Sequence, residues 1–278
     1  MQFTPEDIKQ CIIDLFVTPR NLINKWSDKT NQTSQVRLAY PGQHIASVVT
    51  GVRGIGTAAR GMDLSDGSEV KSCSRADQLG RCNKCGAPVM RAVSICPVCG
   101  SRDIETKEDS HWIFSIRSEE ELSTLFDAPR VLLLLIDRNE QDQIRIRIWQ
   151  IDTKQHYFED FFKEYYYNNF TQKLRAGVSN IAPCNLHPLK YDFYMMEPVL
   201  IFDSHIADGI PIIDFYNLNN ITADPMPSKL LKSDEKLMLV KKGVSIADVV
   251  PSDALKYLKM RPKKIKKNTK VYKRIKRL

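Results

Sequence analysis

Asp63, Asp66, Glu69 and Lys71 lie within nine residues of the stretch GMDLSDGSEVKSC, residues 61–73, separated by small or single apolar side chains. The stretch reads as a β-hairpin with little to bury, so the register of the turn decides what the charges do. A two-residue turn at Asp66-Gly67 would pair Asp63 with Val70 and aim it away from Glu69. A three-residue loop over Ser65, Asp66 and Gly67 puts Asp63 directly opposite Glu69, and Gly67 then occupies the position where a left-handed backbone favours glycine. Opposed residues have Cβ atoms roughly 4.5–5.5 Å apart, close enough for two carboxylates to share a cation. Lys71, two residues on, projects from the same strand face as Glu69. Two carboxylates and an ammonium suit a hard divalent ion such as Mg²⁺, which takes carboxylate and water oxygens and assists attack on a phosphoryl centre. The same spacing also fits a surface hairpin laced with cross-strand ion pairs.

A second constellation follows. CNKCGAPVMRAVSICPVCG, residues 82–100, places Cys82, Cys85, Cys96 and Cys99 as two CxxC pairs ten residues apart, each pair followed by glycine. Four thiolates at this spacing predict a closed, tetrahedral, structural Zn²⁺ site. Two pairs without a thioredoxin-like context argue against a redox CxxC. With no open coordination position, such a zinc does no chemistry. It stabilises a small insertion, and Arg75, Arg81, Lys84, Arg91 and Arg102 around it leave DNA contact open as a second role. Cys11, Cys73 and Cys184 have no partner by spacing and read as plain thiols.

Asp63 followed by Glu69-Val70-Lys71 resembles the bipartite acid and (D/E)-x-K motif of the PD-(D/E)XK nucleases. The wider stretch PGQHIASVVTGVRGIGTAARGMDLSDGSEVKSCSRADQ, with the cysteine knuckles after it, resembles type II restriction endonucleases of the MamI kind, most clearly over residues 41–137. The resemblance implies Mg²⁺-dependent, sequence-specific hydrolysis of double-stranded DNA. Asp63 and Glu69 would hold the Mg²⁺, and Lys71 would position the attacking water, leaving a 5′-phosphate. In many such folds an earlier helix adds a Glu or Gln near the site; Gln43 is the candidate, with Glu6 behind it. His44 is available as a base, but Lys71 makes one unnecessary. Two departures stand out. Met62 rather than proline precedes Asp63, and the gap to Glu69 is short, which leaves Asp66 as an alternative first acid. Palindromic sites are cut on both strands most simply by a two-fold dimer, so a homodimer is expected. A repair nickase would use the same triplet as a monomer, and a zinc-ribbon regulator that binds DNA or RNA would not need it.

The elements that position these residues can be read from periodicity. Thr4-Pro5-Glu6-Asp7 starts a helix, a second covers residues 20–29, and Pro41 opens a third whose Ile45, Val48, Val49 and Val52 share a face. Residues 111–116, 130–137, 143–151, 197–206 and 209–217 read as strands, with a helix over 118–126. Strict alternation along 144–151, beginning Ile-Arg-Ile-Arg-Ile-Trp, predicts one buried and one basic, exposed face. The aromatic segment 156–170 reads as an amphipathic core or dimer helix, with base stacking as the weaker option. The expected fold is α/β: a PD-(D/E)XK nuclease-like mixed sheet flanked by helices, with an inserted zinc ribbon at 81–101. An N-terminal helical region would span 1–40, the catalytic core 41–220, and a C-terminal region with a basic tail 221–278.

Composition narrows the function classes. The 278-residue chain is 42% hydrophobic, enough for a sizeable core, and its longest aliphatic run, 131–136, falls well short of the roughly 20 residues a membrane span needs. GVRGIGTAARG, residues 51–61, is neither a phosphate-binding Walker loop nor a dinucleotide fingerprint, so no nucleotide cofactor is expected. The N-terminal MQFTPEDIKQ lacks the features of a signal peptide, and the clustered cysteines suit a reducing compartment, so a cytoplasmic protein is expected. Net charge is +8, yet residues 256–278 hold twelve Lys or Arg and no acid. The rest of the chain, with 29 bases against 33 acids, is mildly acidic, so the basic excess sits in the tail and suits a polyanion partner.

Overall fold

A computed structural model describes residues 3–216 apart from 31, 33–35, 57–61, 91–92, 106–108, 140, 142 and 190. Arg60, Arg91, the expected C-terminal region 221–278 and its basic tail lie outside the described residues. Helix α1, Pro5–Ile12, is capped as its sequence requires: the Asp7 amide donates to Thr4 Oγ1 at 3.2 Å and the Thr4 amide donates to Asp7 Oδ2 at 2.8 Å. A single π-helical turn, Ile13–Val17, then runs directly into α2, Thr18–Thr30. The two separate helices expected from the sequence are therefore joined. The wider turn lets the adjacent Phe16 and Val17 both face the core. Helix α3, Ala39–Thr50, starts two residues before Pro41 and ends at Gly51 in a left-handed conformation, φ 70°.

The strands follow in order: β1 Glu69–Ser74, β2 Leu79–Cys82, β3 Pro88–Met90, β4 Ile104–Glu105 and β5 Trp112–Phe114. After α4, Glu119–Asp127, come β6 Arg130–Arg138 and β7 Ile144–Asp152. Helix α5, His156–Tyr165, continues through a π turn, Tyr166–Phe170, into α6, Thr171–Arg175. Strand β8 Cys184–Leu186, helix α7 Tyr191–Met195, and the hairpin of β9 Val199–Ala207 and β10 Ile210–Tyr216 complete the described chain. The central sheet has the order β1-β6-β7-β9-β10. Strand β1 runs parallel to β6, with Glu69 level with Val131, and the remaining pairs are antiparallel. The sheet is thus mixed, and β1 is an edge strand.

Both faces of this sheet are covered, which explains why β6 is an unbroken aliphatic run rather than an alternating one. Residues 131–136 are all fully buried. Val131, Leu133 and Leu135 pack with Trp112, Phe158, Phe162 and Phe193, while Leu132, Leu134 and Ile136 pack with Ile8, Phe16, Ile45 and Val49 from the N-terminal helices. The aromatic segment is a core element: Phe158, Phe162, Tyr166 and Phe170 recur every four residues, and all are buried.

The expected basic, exposed face of β7 is not what forms. Arg147 is buried, lies 3.9 Å from Asp137 and stacks over Trp149 at 4.7 Å. Arg145 donates to Asp203 through Nε at 2.7 Å and through Nη2. Arg75 also reaches Asp137, at 2.9 Å. Register brings these partners in from β6 and β9, and desolvated guanidinium groups are held there by carboxylates rather than left for a polyanion. Among the described residues no helix is long and apolar enough to cross a membrane.

Candidate active site and metal centre

Strand β1 alternates its side chains between the two layers. Val70 enters the core beneath α1 and α3, while Lys71 projects to the opposite side, where its Nζ sits 5.7 Å from the centre of the buried Phe114 ring. Glu69 precedes it on the same face, and its Oε1 accepts a hydrogen bond from Lys71 Nζ. The (D/E)-x-K pair is therefore set by strand periodicity alone.

Asp63 arrives by a turn. The Gly67 amide donates to Leu64 O at 2.9 Å, Gly67 has φ 86°, and the Asp63 and Leu64 amides both donate to Ser68 O at 3.1 Å. The loop is odd-length with glycine in the left-handed position, as the sequence predicts. The rest of the expected hairpin does not form. The arm before the turn bridges Gly54 through Leu64, and the Ile55 amide donates to Asp63 O at 3.2 Å, while β1 takes β6 as its strand partner. What reaches the open edge of β1 is the Asp63 side chain: the Val70 amide donates to Asp63 Oδ2 at 2.7 Å. The other oxygen, Oδ1, accepts from Gln43 Nε2 of α3 at 2.5 Å. Helix α3 approaches this closely because residue 42 is glycine; a Cβ there would sit 1.8 Å from Ser72 Oγ on β1.

Charge couples the three groups. Burial raises the pKa of Asp63 above the ordinary carboxylate value, opposed by the Val70 amide and by Lys71. Burial also raises Glu69; Lys71 works against that, and the neighbouring Asp63 charge adds to it. Two half-buried carboxylates that repel each other, beside one ammonium, form an oxygen-rich cluster of net negative charge. The chemistry of that donor set fits a hard divalent cation.

The alternative first acid does not converge with them. Asp66 Oδ2 accepts from Arg130 Nη2 at 2.8 Å and Oδ1 accepts from the Ser68 amide at 3.0 Å, and these bonds hold its pKa low despite partial burial. Glu6 pairs with Lys9 at 2.7 Å on an exposed turn of α1, and His44 is exposed to solvent. Of the auxiliary candidates, Gln43 alone reaches an acid of the triplet.

The four cysteines also converge. All four Sγ atoms lie within 4.8 Å of one another, with Cys82 to Cys99 and Cys85 to Cys96 at 3.6 Å. Tetrahedral zinc with bonds of about 2.3 Å requires sulfurs about 3.8 Å apart. The two knuckles repeat one geometry. Gly86 N donates to Cys82 O at 2.8 Å and Gly100 N to Cys96 O at 2.9 Å, and the glycines have φ 75° and 69°. The Cys85 amide, turned toward sulfur, helps lower the Cys82 thiol to about 6. Strand β2 pairs with both β3 and β4 to form the small sheet that carries this cluster. Cys11, Cys73 and Cys184 stand apart as free thiols.

The MamI restriction endonuclease family matches residues 25–233, three quarters of the chain. The chain belongs to this family. It is 27% identical over 215 residues to the type II restriction enzyme MamI of Microbacterium ammoniaphilum, an alignment covering 76% of this chain and 59% of that protein. The chain therefore spans well under two thirds of that curated relative. No solved structure matches it significantly. The span shared with the MamI family contains Gln43, Asp63, Glu69, Lys71 and the four cysteines.

Within that span, sequence reasoning passed over Arg130 and Phe114. Phe114 looks like any core aromatic, and Arg130 merely opens a strand; the parallel register of β1 on β6 brings Arg130 beside the turn, and packing of β5 against the face of β1 brings Phe114 under Lys71.

Proposed function

We propose that this chain is a type II restriction endonuclease of the PD-(D/E)XK class that hydrolyses phosphodiester bonds of double-stranded DNA at a specific sequence, with Mg²⁺ as cofactor. The observation that carries the proposal is the meeting of Asp63, Glu69 and Lys71 at one end of an edge strand, with Gln43 holding Asp63. Asp63 and Glu69 would hold the Mg²⁺, which when bound offsets the charge of the scissile phosphate. Gln43 and the Val70 amide fix the orientation of the Asp63 carboxylate, so the metal site is built before DNA arrives. Lys71 orients the attacking water, and its charge stabilises the extra negative charge that builds on the phosphoryl oxygens in the transition state. The water oxygen bonds to phosphorus as the water gives up a proton, the bond to the 3′ oxygen breaks, that oxygen takes up a proton and leaves as a 3′-hydroxyl, and a 5′-phosphate remains. Cys82, Cys85, Cys96 and Cys99 would hold a structural Zn²⁺ that makes the ribbon a folded unit. Cutting both strands of a palindrome calls for a homodimer.

Incubating the purified protein with phage DNA and Mg²⁺ tests this directly. Discrete fragments that disappear in EDTA are expected. Nicked but never linearised plasmid would favour a repair nickase, and binding without cleavage would favour a regulator.

A further inference from the structure

We infer that Arg130 is a positioning residue of the metal site: it locks the turn that sets Asp63 against Glu69. The inference rests on the Mg²⁺ reading above and adds to it a residue outside the acid-lysine motif.

Arg130 opens β6, one residue before Val131, which lies level with Glu69 on β1. Its guanidinium uses three faces at once. Nε donates to Ser68 Oγ at 2.9 Å, Nη2 donates to Asp66 Oδ2 at 2.8 Å, and Nη1 donates to Gln150 Oε1 of β7 at 3.0 Å. Ser68 is fully buried, and every polar group it has is committed to the turn. Its hydroxyl takes Arg130, its amide donates to Asp66, and its carbonyl accepts the Asp63 and Leu64 amides. One side chain anchored in the sheet through Gln150 thus grips the middle of the loop between the two acids, at Asp66, and its far end, at Ser68. Pro129 closes the third side: a Cβ on Gly67 would meet it at 3.1 Å.

The consequence follows from what the turn separates. Glu69 is fixed by the β1–β6 ladder, whereas among the described residues the Asp63 arm is held by one bridge, a few backbone bonds and the two hydrogen bonds its carboxylate accepts from Val70 and Gln43. Val70 and Gln43 orient the Asp63 carboxylate, and the backbone spacing between the acids is set across the turn by Ser68 and its clamp. A planar fork with several donors performs this task; a lysine ammonium, as a point charge, cannot reach all three partners in fixed geometry. Arg130 makes no bond to Asp63, Glu69 or Lys71 among those described, so it acts through the turn and not on the reacting atoms.

The test is cleavage of a defined DNA substrate across a Mg²⁺ titration for wild type, Arg130→Met, Arg130→Lys and Asp66→Asn, run well below each protein's melting temperature. Partners that orient metal ligands typically contribute roughly 10- to 100-fold to metal affinity. Arg130→Met should raise the half-saturating Mg²⁺ concentration by about tenfold or more, with cleavage returning close to the wild-type rate at high Mg²⁺. Arg130→Lys should fall between the two. Asp66→Asn should shift in the same direction, and it serves as the test if Arg130→Met does not fold. The double variant Asp66→Asn/Arg130→Met should be no worse than Arg130→Met, because both act through one clamp. An unchanged Mg²⁺ dependence in the folded variants, even with a lowered Tm, would reduce Arg130 to a stabilising residue and overturn the inference. So would a folded Arg130→Met that stays inactive at all Mg²⁺ concentrations, since that would place Arg130 in the chemistry. A wild-type protein that shows no Mg²⁺-dependent cutting would instead overturn the nuclease reading itself.

Discussion

Gly42→Ala separates close packing at the site from ordinary helix propensity by the sign of its effect. Gly42 lies in the first half of α3, where alanine in place of glycine is ordinarily worth about 1 kcal/mol of added stability. Here the new Cβ would stand 1.8 Å from Ser72 Oγ and 2.8 Å from Ser72 Cβ, against an ordinary contact of at least 3.4 Å. Rotating the hydroxyl away removes the first clash but not the second, so α3 must move off β1. Overpacking of this kind costs about 1–3 kcal/mol, which outweighs the propensity gain and lowers Tm by roughly 5 °C for a chain of this size. The next residue on the helix is Gln43, so the same displacement should draw its amide away from Asp63 Oδ1 and weaken Mg²⁺-dependent cleavage. Ser72→Ala should be close to neutral alone, because its buried hydroxyl has no hydrogen-bond partner among the described residues, and it should rescue Gly42→Ala only in part. Gly42→Ala with Ser72→Gly should recover most of the activity. Thermal melts and a plasmid cleavage assay read both effects. A Gly42→Ala protein more stable than wild type and fully active would refute the close approach of α3 to β1.

Three further outcomes are expected. Cys96→Ser should abolish stoichiometric zinc and lower soluble yield, since structural zinc contributes folding energy directly; X-ray absorption showing nitrogen or oxygen ligands would contradict a four-sulfur site. Asp63 and Glu69 have folded pKa values above their unfolded ones, so the folded state binds more protons in that window, and the metal-free protein should lose stability as pH rises through it. Because Mg²⁺ needs both groups ionised, cleavage should fall off on acidification at a higher pH than ordinary carboxylates would give; melts and rates from pH 4 to 8, with and without Mg²⁺, check both signs. Deleting residues 256–278 removes twelve basic residues, and if half of them contact phosphates the log–log salt dependence of DNA binding should flatten by roughly 5 while the cut sites stay the same; an unchanged slope would make the tail a solvated end.

The elements whose signals are local were legible in the sequence. The Thr4 cap, the aliphatic run of β6, the aromatic helix and the two cysteine knuckles are each fixed by residues within about one turn or hairpin of one another. At the site, strand periodicity placed Glu69 and Lys71 together, and loop parity with Gly67 gave the turn. What failed was long-range. The partner of β1 is β6, some sixty residues on, rather than the arm before the turn, and nothing local distinguishes an edge strand with a parallel neighbour from one half of a hairpin. The arginines of β7 looked exposed because alternation reports which side chains share a face, not whether a second layer and two aspartates cover it. Arg130 and Phe114 were invisible for the same reason: each reaches the site only through long-range structure, Arg130 by the register of β6 on β1 and Phe114 by the packing of β5 across the face of β1.

The most direct test of the central claim is single-turnover cleavage of a DNA fragment containing the recognised site by Glu69→Ala and Lys71→Ala, with DNA binding and thermal melting measured on the same preparations. Both variants should fold and bind DNA nearly as wild type does, yet lose cleavage in Mg²⁺ by at least about a hundredfold. Wild-type cleavage rates in either variant, or undiminished cutting by the native protein in EDTA, would show that the Asp63–Glu69–Lys71 constellation is not the catalytic centre.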